Sequence, residues 1–161
     1  MFGHSTYRHT QEGPFCWLIA GISIPCFISS AMLWNEPVAS AVVAFAGFST
    51  LYLAGAFRHL TVSDDDDELL ISFGPLPLLW RRIRYAKMRT AQVSRTTFLD
   101  GWGVHYSLRG GWVWNIWGYD CVEIQLDKGK VFVGTDDAEN FAEFLQTRIE
   151  KRNAPDRGEF P

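Results

Sequence analysis

The sequence lacks the short motifs with which enzymes position a nucleophile, a nucleotide or a catalytic metal. It contains no Gly-x-Ser-x-Gly, P-loop, Gly-x-Gly-x-x-Gly, His-Glu-x-x-His or Cys-x-x-Cys. Its four histidines are scattered, without the spacing of metal ligands. We therefore expect no metal, no cofactor and no enzymatic activity. The one remote basis for catalysis is a pair of carboxylates, Asp100 and Asp120, with His105 between them.

Cysteine is also scarce, and the balance of charge excludes one class of partner. The three cysteines, Cys16, Cys26 and Cys121, are an odd number without a disulfide framework, which fits packing roles in a reducing compartment. The formal net charge is −3. Because nucleic-acid-binding proteins usually present a basic surface, we expect no nucleic acid partner.

Long apolar runs are what the sequence does have. Two adjacent stretches, Phe15 to Trp34 and Val38 to Phe57, contain no Lys, Arg, Asp or Glu. Each has about 20 residues, the length that an α-helix needs to cross a bilayer. A very short connection, residues 35–37, makes them antiparallel neighbours. The sequence therefore predicts a transmembrane hairpin over 15–57, and the polar segment before it does not resemble a signal peptide.

Positive charge orients the predicted hairpin. The connection carries no Lys or Arg, whereas Arg8 precedes the first stretch and Arg58 follows the second. Because Lys and Arg collect on the cytoplasmic side, both termini are predicted to be cytoplasmic. The predicted domains are a cytoplasmic segment over 1–14, the hairpin with spans 15–34 and 38–57, a cytoplasmic domain over 58–152 and a flexible tail over 153–161.

Small residues in the second apolar stretch predict helix packing. Ala46, Gly47, Thr50 and Ala54 lie on two adjacent rows of one helix face. Small side chains at this spacing let helices approach closely in lipid. This face packs either against the first helix of the hairpin or against another membrane protein or a second copy of the chain.

Beyond Arg58 the hydropathy pattern changes to the period of two that is typical of strands. Alternating apolar residues, separated by turns, predict about seven short antiparallel strands up to Val133. One amphipathic helix follows, with Asp136 as its N-cap and apolar residues from Ala138 to Ile149. The predicted class is α+β, in which the helix covers one end of a bent sheet or partial barrel.

This order of elements resembles the bacterial pleckstrin-homology-like (PH-like) domains that are attached to membrane helices. The resemblance covers roughly Leu60 to Ile149, and its motifs are Gly-Trp-Gly at 101–103, Asp-Lys-Gly-Lys at 127–130 and Gly-Thr-Asp-Asp at 134–137. It implies a PH-like antiparallel barrel or sandwich capped by one C-terminal helix, in a protein of the bacterial inner membrane. These motifs are structural, so the resemblance implies little about function.

A run of cations and an acidic run stand close together in the sequence. Cations near a membrane attract anionic headgroups by about 1 kcal/mol each, so the basic cluster predicts headgroup contact or, alternatively, a solvated strand face. Phosphoinositide-binding PH domains carry basic residues in their first strand pair, where this sequence has the acidic run Asp64 to Glu68. That departure argues against inositol phosphate recognition, and we expect a solvated turn. The cations are Arg81, Arg82, Arg84, Lys87 and Arg89.

Four tryptophans, Trp102, Trp112, Trp114 and Trp117, lie close together beside several glycines. Indole rings favour the bilayer interface and the centres of protein interfaces. Alternatively, Trp112 and Trp114 send their rings to one face of a strand and fill the core. Membrane-interface or partner contact therefore stands beside a purely structural role.

Three functional hypotheses follow. The leading hypothesis is a non-enzymatic, membrane-anchored PH-like interaction module, such as an accessory subunit or assembly factor of an inner-membrane complex, with a membrane-protein partner or a second copy. The alternative is a module that binds anionic lipid surfaces. A membrane-bound enzyme that uses the two carboxylates and His105 is the remote third.

Overall fold

The structure is a computed structural model that describes residues 7–74, 79–97 and 100–153. Within these residues the predicted α+β class is confirmed, with two apolar N-terminal helices, two sheets and a C-terminal helix. The predicted tail beyond residue 153 lies outside them. The helices are α1 (Phe15–Met32), α2 (Pro37–Ala56) and α3 (Ala138–Asn153), and Tyr85–Lys87 forms a 3-10 turn.

Small residues seven positions apart form the contact between α1 and α2. Ser23 on α1 is buried, as are Gly47 and Ala54 on α2. The hydroxyls of Ser30 and Ser40 each donate a hydrogen bond to the other residue's carbonyl oxygen, at 3.0 and 2.9 Å. Spacing by seven keeps these residues on one side of each helix, which allows the two backbones to approach closely.

The four small residues singled out on the second helix lie in different surroundings. At Gly47 a Cβ atom would come within 3.1 Å of Cys26 Cβ, so this glycine permits the close approach of α1. Ala54 is buried as well. Ala46 is exposed, and Thr50 donates its hydroxyl to the carbonyl oxygen of Ala46 within its own helix. Two of the four therefore pack inside the protein, and Ala46 remains on its surface.

The outer surface of both helices is apolar. Trp17, Val38 and Phe45 are each at least 75% exposed. Only 11% of each apolar segment is buried inside the protein, whereas a core helix of a soluble protein buries most of its apolar face. Both helices are long and apolar enough to cross a membrane, judged by length and composition.

The first sheet contains an edge strand that the sequence did not predict. The strand order is β1-β2-β3-β4, and every pair is antiparallel. The residues of β1 show no alternation of apolar and polar side chains, because this strand joins the sheet through its backbone and buries only Gln11. The strands are β1 (Arg8–Glu12), β2 (His59–Asp65), β3 (Glu68–Phe73) and β4 (Leu79–Arg84).

Strands β1 and β2 continue almost directly into the helical hairpin. Glu12 pairs with His59, and the backbone N–H of Gly13 donates to the carbonyl oxygen of Arg58 at 3.1 Å. Helix α1 begins two residues later, at Phe15. We call this end of the sheets helix-proximal and the opposite end, at the turn between β2 and β3, helix-distal. The length of β2 separates the two ends by about 20 Å.

The second sheet overturns part of the predicted topology. Its strand order is β5-β8-β9-β7-β6, and β7 and β9 are parallel. The described residues thus contain nine strands instead of about seven, and not every pair is antiparallel. Apolar alternation does not encode the direction of a partner strand. The close approach of β7 to β9 depends on Gly111, where a Cβ would lie 2.7 Å from the Lys130 carbonyl oxygen. The strands are β5 (Met88–Arg95), β6 (Gly103–Ser107), β7 (Gly111–Asn115), β8 (Asp120–Leu126) and β9 (Lys130–Gly134).

One hydrophobic core contains residues of both sheets and of α3. The helix begins one residue later than predicted, because Asp137 is the N-cap and its carbonyl oxygen accepts the Phe141 N–H at 3.1 Å. Asp136 instead pairs with His9 of β1 at 2.5 Å. Fully buried core side chains include Leu69, Ile71, Phe73, Val122, Ile124, Val131, Val133, Phe141 and Leu145.

Candidate functional site

An aromatic cluster lies where the helical hairpin meets the sheets. Trp102 stacks on Trp117 with ring centroids 4.9 Å apart. Phe15, the first residue of α1, contacts the two indoles at 4.8 and 5.6 Å. We call these three residues the junction cluster. Its indoles are 38% and 39% exposed, so they present aromatic surface at the level where the helices leave the sheets.

Two tight turns bring the indoles together. Trp102 precedes Gly103, whose φ of 100° is a conformation that favours glycine. Trp117 follows β7 in a turn organised by Asn115, a fully buried residue whose Oδ1 accepts the Trp117 N–H at 3.2 Å. Gln11 of β1 donates to the Trp117 carbonyl oxygen at 3.0 Å. The strand that leads into α1 thereby holds the second indole beside Phe15.

An apolar groove of about 350 Å³ adjoins the junction cluster. Side chains of α1 form one side of it, and side chains of the sheets and their connections form the other. The apolar surface of the hairpin therefore extends onto the sheets. The groove is lined by Phe15, Ile19, Phe57, Trp102, Gly103, Val104 and Ile116.

The other two tryptophans lie elsewhere. Trp114 is buried in the core, 6.0 Å from the ring of Phe73. Trp112 is 44% exposed and meets the ring of Tyr106 edge-on at 5.9 Å. The four tryptophans thus do not form one surface, and the two that stack come from separate turns.

Three of the five clustered cations are ion-paired, and two are not. Arg81 and Lys87 have no acidic partner within residues 7–74, 79–97 and 100–153. Arg81 occupies the same side of β4 as the buried Ile83 and is half-buried, and burial lowers the pKa of its guanidinium from the usual value. The ion pairs are Arg82–Asp65 at 2.7 Å, Arg84–Glu68 at 3.1 Å and Arg89–Asp127 at 2.5 Å.

The basic cluster extends towards the helix-distal end of the sheets. In the register of β3 and β4, Arg84 lies opposite Glu68, next to the turn that ends β2. That turn is about 20 Å from the helices along the strand. The Debye length at physiological salt is about 8 Å, so charges at this end interact weakly with a surface at the level of the helix ends.

The acidic run is not a uniformly solvated turn, so that expectation is wrong for its first residue. The Asp64 side chain is only 4% exposed. It accepts a hydrogen bond of 2.7 Å from the Tyr85 hydroxyl and another from Arg148 of α3. The guanidinium of Arg148 also lies 5.4 Å from the Tyr85 ring centroid. Asp64 therefore joins β2 to the C-terminal helix.

The residues of the remote enzymatic hypothesis have separate partners. Asp100 accepts hydrogen bonds from Ser107 and Thr97, and Asp120 forms an exposed ion pair with Arg95. The buried Nε2 of His105 has no hydrogen-bond partner among the described residues. No hydrogen bond between described residues therefore connects any two of Asp100, His105 and Asp120 as an acid–base pair.

Two shifted pKa values in this region favour structural roles. Burial by itself would raise the pKa of Asp100, but hydrogen bonds from Ser107 and Thr97 outweigh it and lower the pKa below the usual value. Burial raises the pKa of the Cys121 thiol to about 11, so this cysteine is protonated at neutral pH and is a poor nucleophile. In the part of the chain that the structure describes, no group of three or more His, Cys, Asp or Glu residues is arranged to hold a metal ion.

Sequence reasoning missed two residues that matter at these sites. In the sequence, Phe15 is one apolar residue of a long run, and Arg148 is one charged residue of an amphipathic helix. Each contacts residues that are distant in the sequence, and no local pattern encodes such a contact. No protein-family model matches the chain, and no curated protein matches it.

Proposed function

We propose that this protein is a non-enzymatic, membrane-anchored interaction module, such as an accessory subunit or assembly factor of an inner-membrane complex. One observation carries the proposal: the strand pair β1–β2 continues into the helix pair α1–α2 with two residues at each junction. A flexible linker allows a domain to move relative to the helices, whereas this two-residue connection holds the sheets at one distance and orientation from them. Such an arrangement suits a domain that meets a partner at the membrane surface.

The junction cluster supports a bilayer anchor. Tryptophan is enriched where hydrocarbon meets water, because its ring is apolar and its N–H is polar. Trp102 and Trp117 have this position if α1 and α2 cross a bilayer. Arg8 and Arg58 flank the helix-proximal end, whereas the α1–α2 connection has no Lys or Arg. This charge distribution favours cytoplasmic termini in the inner membrane of a bacterium.

We also propose that the soluble part is PH-like. Two sheets that share one core with a final amphipathic helix support this assignment. The parallel pair β7–β9 departs from the all-antiparallel pattern expected for such a domain, and the additional antiparallel strand β1 is supplied from before the hairpin. Because folds host unrelated functions, the likeness adds nothing about the partner.

Binding to anionic lipid through the basic cluster has less support. Three of its cations already have carboxylate partners, and its far end is remote from the helices. An isolated domain that bound vesicles through these cations would need to turn its helix-distal end towards the lipid. The anchor described above holds that end away from the membrane.

Affinity purification of the tagged full-length protein in mild detergent tests the interaction role. We expect either a membrane protein in stoichiometric amount or a second copy of the chain to co-purify. Untagged cells taken through the same procedure are the control for adventitious binding. A monomer that carries only lipid would contradict the proposed function.

Quenching by brominated lipids tests the position of the junction cluster. The full-length protein is placed in vesicles of phosphatidylcholine brominated near the headgroup, and its tryptophan emission is recorded. Because the two indoles are proposed to lie at the interface, the double variant Trp102→Phe/Trp117→Phe should lose part of the quenched emission. Trp112→Phe is the matched control, because Trp112 is similarly exposed but lies further from the helices.

Either of two results would contradict the proposed contact between the junction cluster and the bilayer. The quenched fraction of the emission is unchanged in the double variant, or it falls equally in the control. The indoles of the hairpin itself, such as Trp17, remain quenched in every variant and report that the protein is inserted.

A further inference from the structure

A groove of about 680 Å³ runs along the free edge of β4. Four consecutive residues, Arg81 to Arg84, line it. Successive side chains of a strand point to opposite faces, so a groove lined by all four follows the backbone at the strand's edge. Strand β4 pairs with β3 on its other side, and within the described residues no strand pairs with the edge that faces the groove. The opposite wall is the β8–β9 turn.

The groove is rich in positive charge. Five cations line it, against the two carboxylates of Glu68 and Asp127. Both carboxylates are engaged: Glu68 lies within 3.6 Å of two arginines, and Asp127 pairs with Arg89, which is not part of the lining. The lining cations are Arg81, Arg82, Arg84, Lys87 and Lys128.

Three of these cations have no acidic partner among the residues that the structure describes. They are Arg81 on β4, Lys87 at the end of the 3-10 turn and Lys128 on the opposite wall. They therefore lie on both sides of the groove that follows the unpaired edge of β4. A ligand that carries carboxylates along an extended backbone would meet both needs of this site, since it supplies hydrogen bonds to the strand edge and negative charge to the cations.

We propose that this groove receives an extended acidic segment of a partner protein, which adds to the first sheet as a strand beside β4. Main-chain hydrogen bonds to β4 hold the segment, and its carboxylates meet Arg81, Lys87 and Lys128. The inference rests on the proposed role as an interaction module and names the chemistry of its partner. Because the groove extends towards the helix-distal end, the segment reaches it from the aqueous side of the membrane.

Edge strands offer a competing explanation for the same cations. Proteins often place charges on free edges, including inward-pointing ones, to prevent pairing with other chains. Under that explanation no strand adds to β4, whatever its charge. The two explanations therefore differ in one measurable result, the binding of an acidic peptide that is able to form a strand.

Fluorescence anisotropy of labelled peptides, with the full-length protein in detergent, makes this measurement. One probe has four Glu-Val repeats, and the second is the same peptide with every backbone nitrogen methylated, which carries the same charge but has no N–H group to donate to a strand edge. We expect the Glu-Val peptide to bind about tenfold more tightly than its N-methylated counterpart, because only the first donates N–H groups to a ladder with β4. Equal affinities, or no binding of either peptide, would overturn the proposal.

A charge-matched pair of variants locates the site. Replacing all three unpaired cations, Arg81→Gln/Lys87→Gln/Lys128→Gln, should weaken binding of the Glu-Val peptide about tenfold or more. The control variant removes as many exposed cations elsewhere, as Arg95→Gln/Arg109→Gln/Lys151→Gln, and should bind as the parent does. An equal loss in both variants would mean that net charge, and not this groove, attracts the peptide.

Two further outcomes are informative. If inorganic phosphate displaces the Glu-Val peptide at concentrations that chloride does not match, the groove is a phosphate site and the proposal is wrong. If a partner co-purifies with the full-length protein but the peptides do not bind, the interaction role stands and this groove is not its surface.

Discussion

Replacing Asp64 with alanine is expected to lower the free energy of unfolding by about 3–5 kcal/mol, the usual cost of breaking a buried ion pair. The variant removes the acceptor of two hydrogen bonds, from the Tyr85 hydroxyl and from Arg148. It leaves a guanidinium that is 20% exposed without a counter-charge, and the Nε of Arg148 already has no hydrogen-bond partner in the described part of the chain. Chemical unfolding of the full-length protein in detergent, followed by circular dichroism, measures the loss.

Two further variants separate the ion pair from the turn in which it lies. Asp66→Asn changes the same acidic turn at a position with a φ of 53°, which asparagine adopts readily, and should leave stability nearly unchanged. Asp64→Leu/Arg148→Met removes both charges and should cost less than Asp64→Ala, because no unpaired charge remains buried. A loss below about 1 kcal/mol for Asp64→Ala would mean that this contact does not hold α3 to the sheet.

Replacing Asp100 with asparagine should cost about 1.5–3 kcal/mol, the range for hydrogen bonds to a charged group. The carboxylate is 5% exposed and accepts hydrogen bonds from the backbone N–H and the hydroxyl of Thr97, both at 2.9 Å, and from the Ser107 hydroxyl. Asparagine keeps the shape but accepts through one oxygen only, so its amide group faces Ser107 and the Ser107 hydroxyl loses the acceptor of its own proton. The exposed Asp120, replaced in the same way, is the matched control and should change stability by less than about 1 kcal/mol.

The cost of Asp100→Asn should also depend on pH in one direction. The pKa of Asp100 is lowered in the folded protein, whereas an unfolded aspartate has a pKa of about 4. The carboxylate therefore stabilises the folded state above pH of about 4, and this contribution disappears as the pH falls through the lower, folded-state pKa. The stability difference between parent and variant should be complete at pH 7 and shrink in acid. A difference that grows in acid would contradict the assigned hydrogen bonds.

Local hydropathy patterns predicted the elements whose side chains need only a uniformly apolar environment on one or all sides. Both apolar helices begin and end within two residues of the predicted spans, since any neighbour of low polarity satisfies their side chains. The amphipathic helix α3 was predicted nearly to the residue for a similar reason, because its apolar stripe faces one core. Strand β1 was missed, because an edge strand of polar residues carries no hydropathy signal.

The sequence predicted which residues belong to the candidate sites but not which of these residues contact one another. The tryptophans, the cations and the acidic run are all visible in the sequence. Which indoles stack, which arginines are already paired and which aspartate is buried depend on strand register and on contacts between distant residues. The register of β3 with β4, for example, brings Arg84 beside Glu68 and leaves Arg81 without a partner on the other face of the strand.

The sequence by itself determined the apolar hairpin, the α+β class and the amphipathic C-terminal helix, because hydropathy periodicity acts over a few residues and needs no knowledge of distant partners. Only the tertiary structure decided the parallel pairing of β7 with β9, the continuity of the first sheet with the hairpin, the junction cluster and the unpaired cations beside the free edge of β4. Each of these depends on the register and direction of segments far apart in the chain, which side-chain pattern alone does not specify.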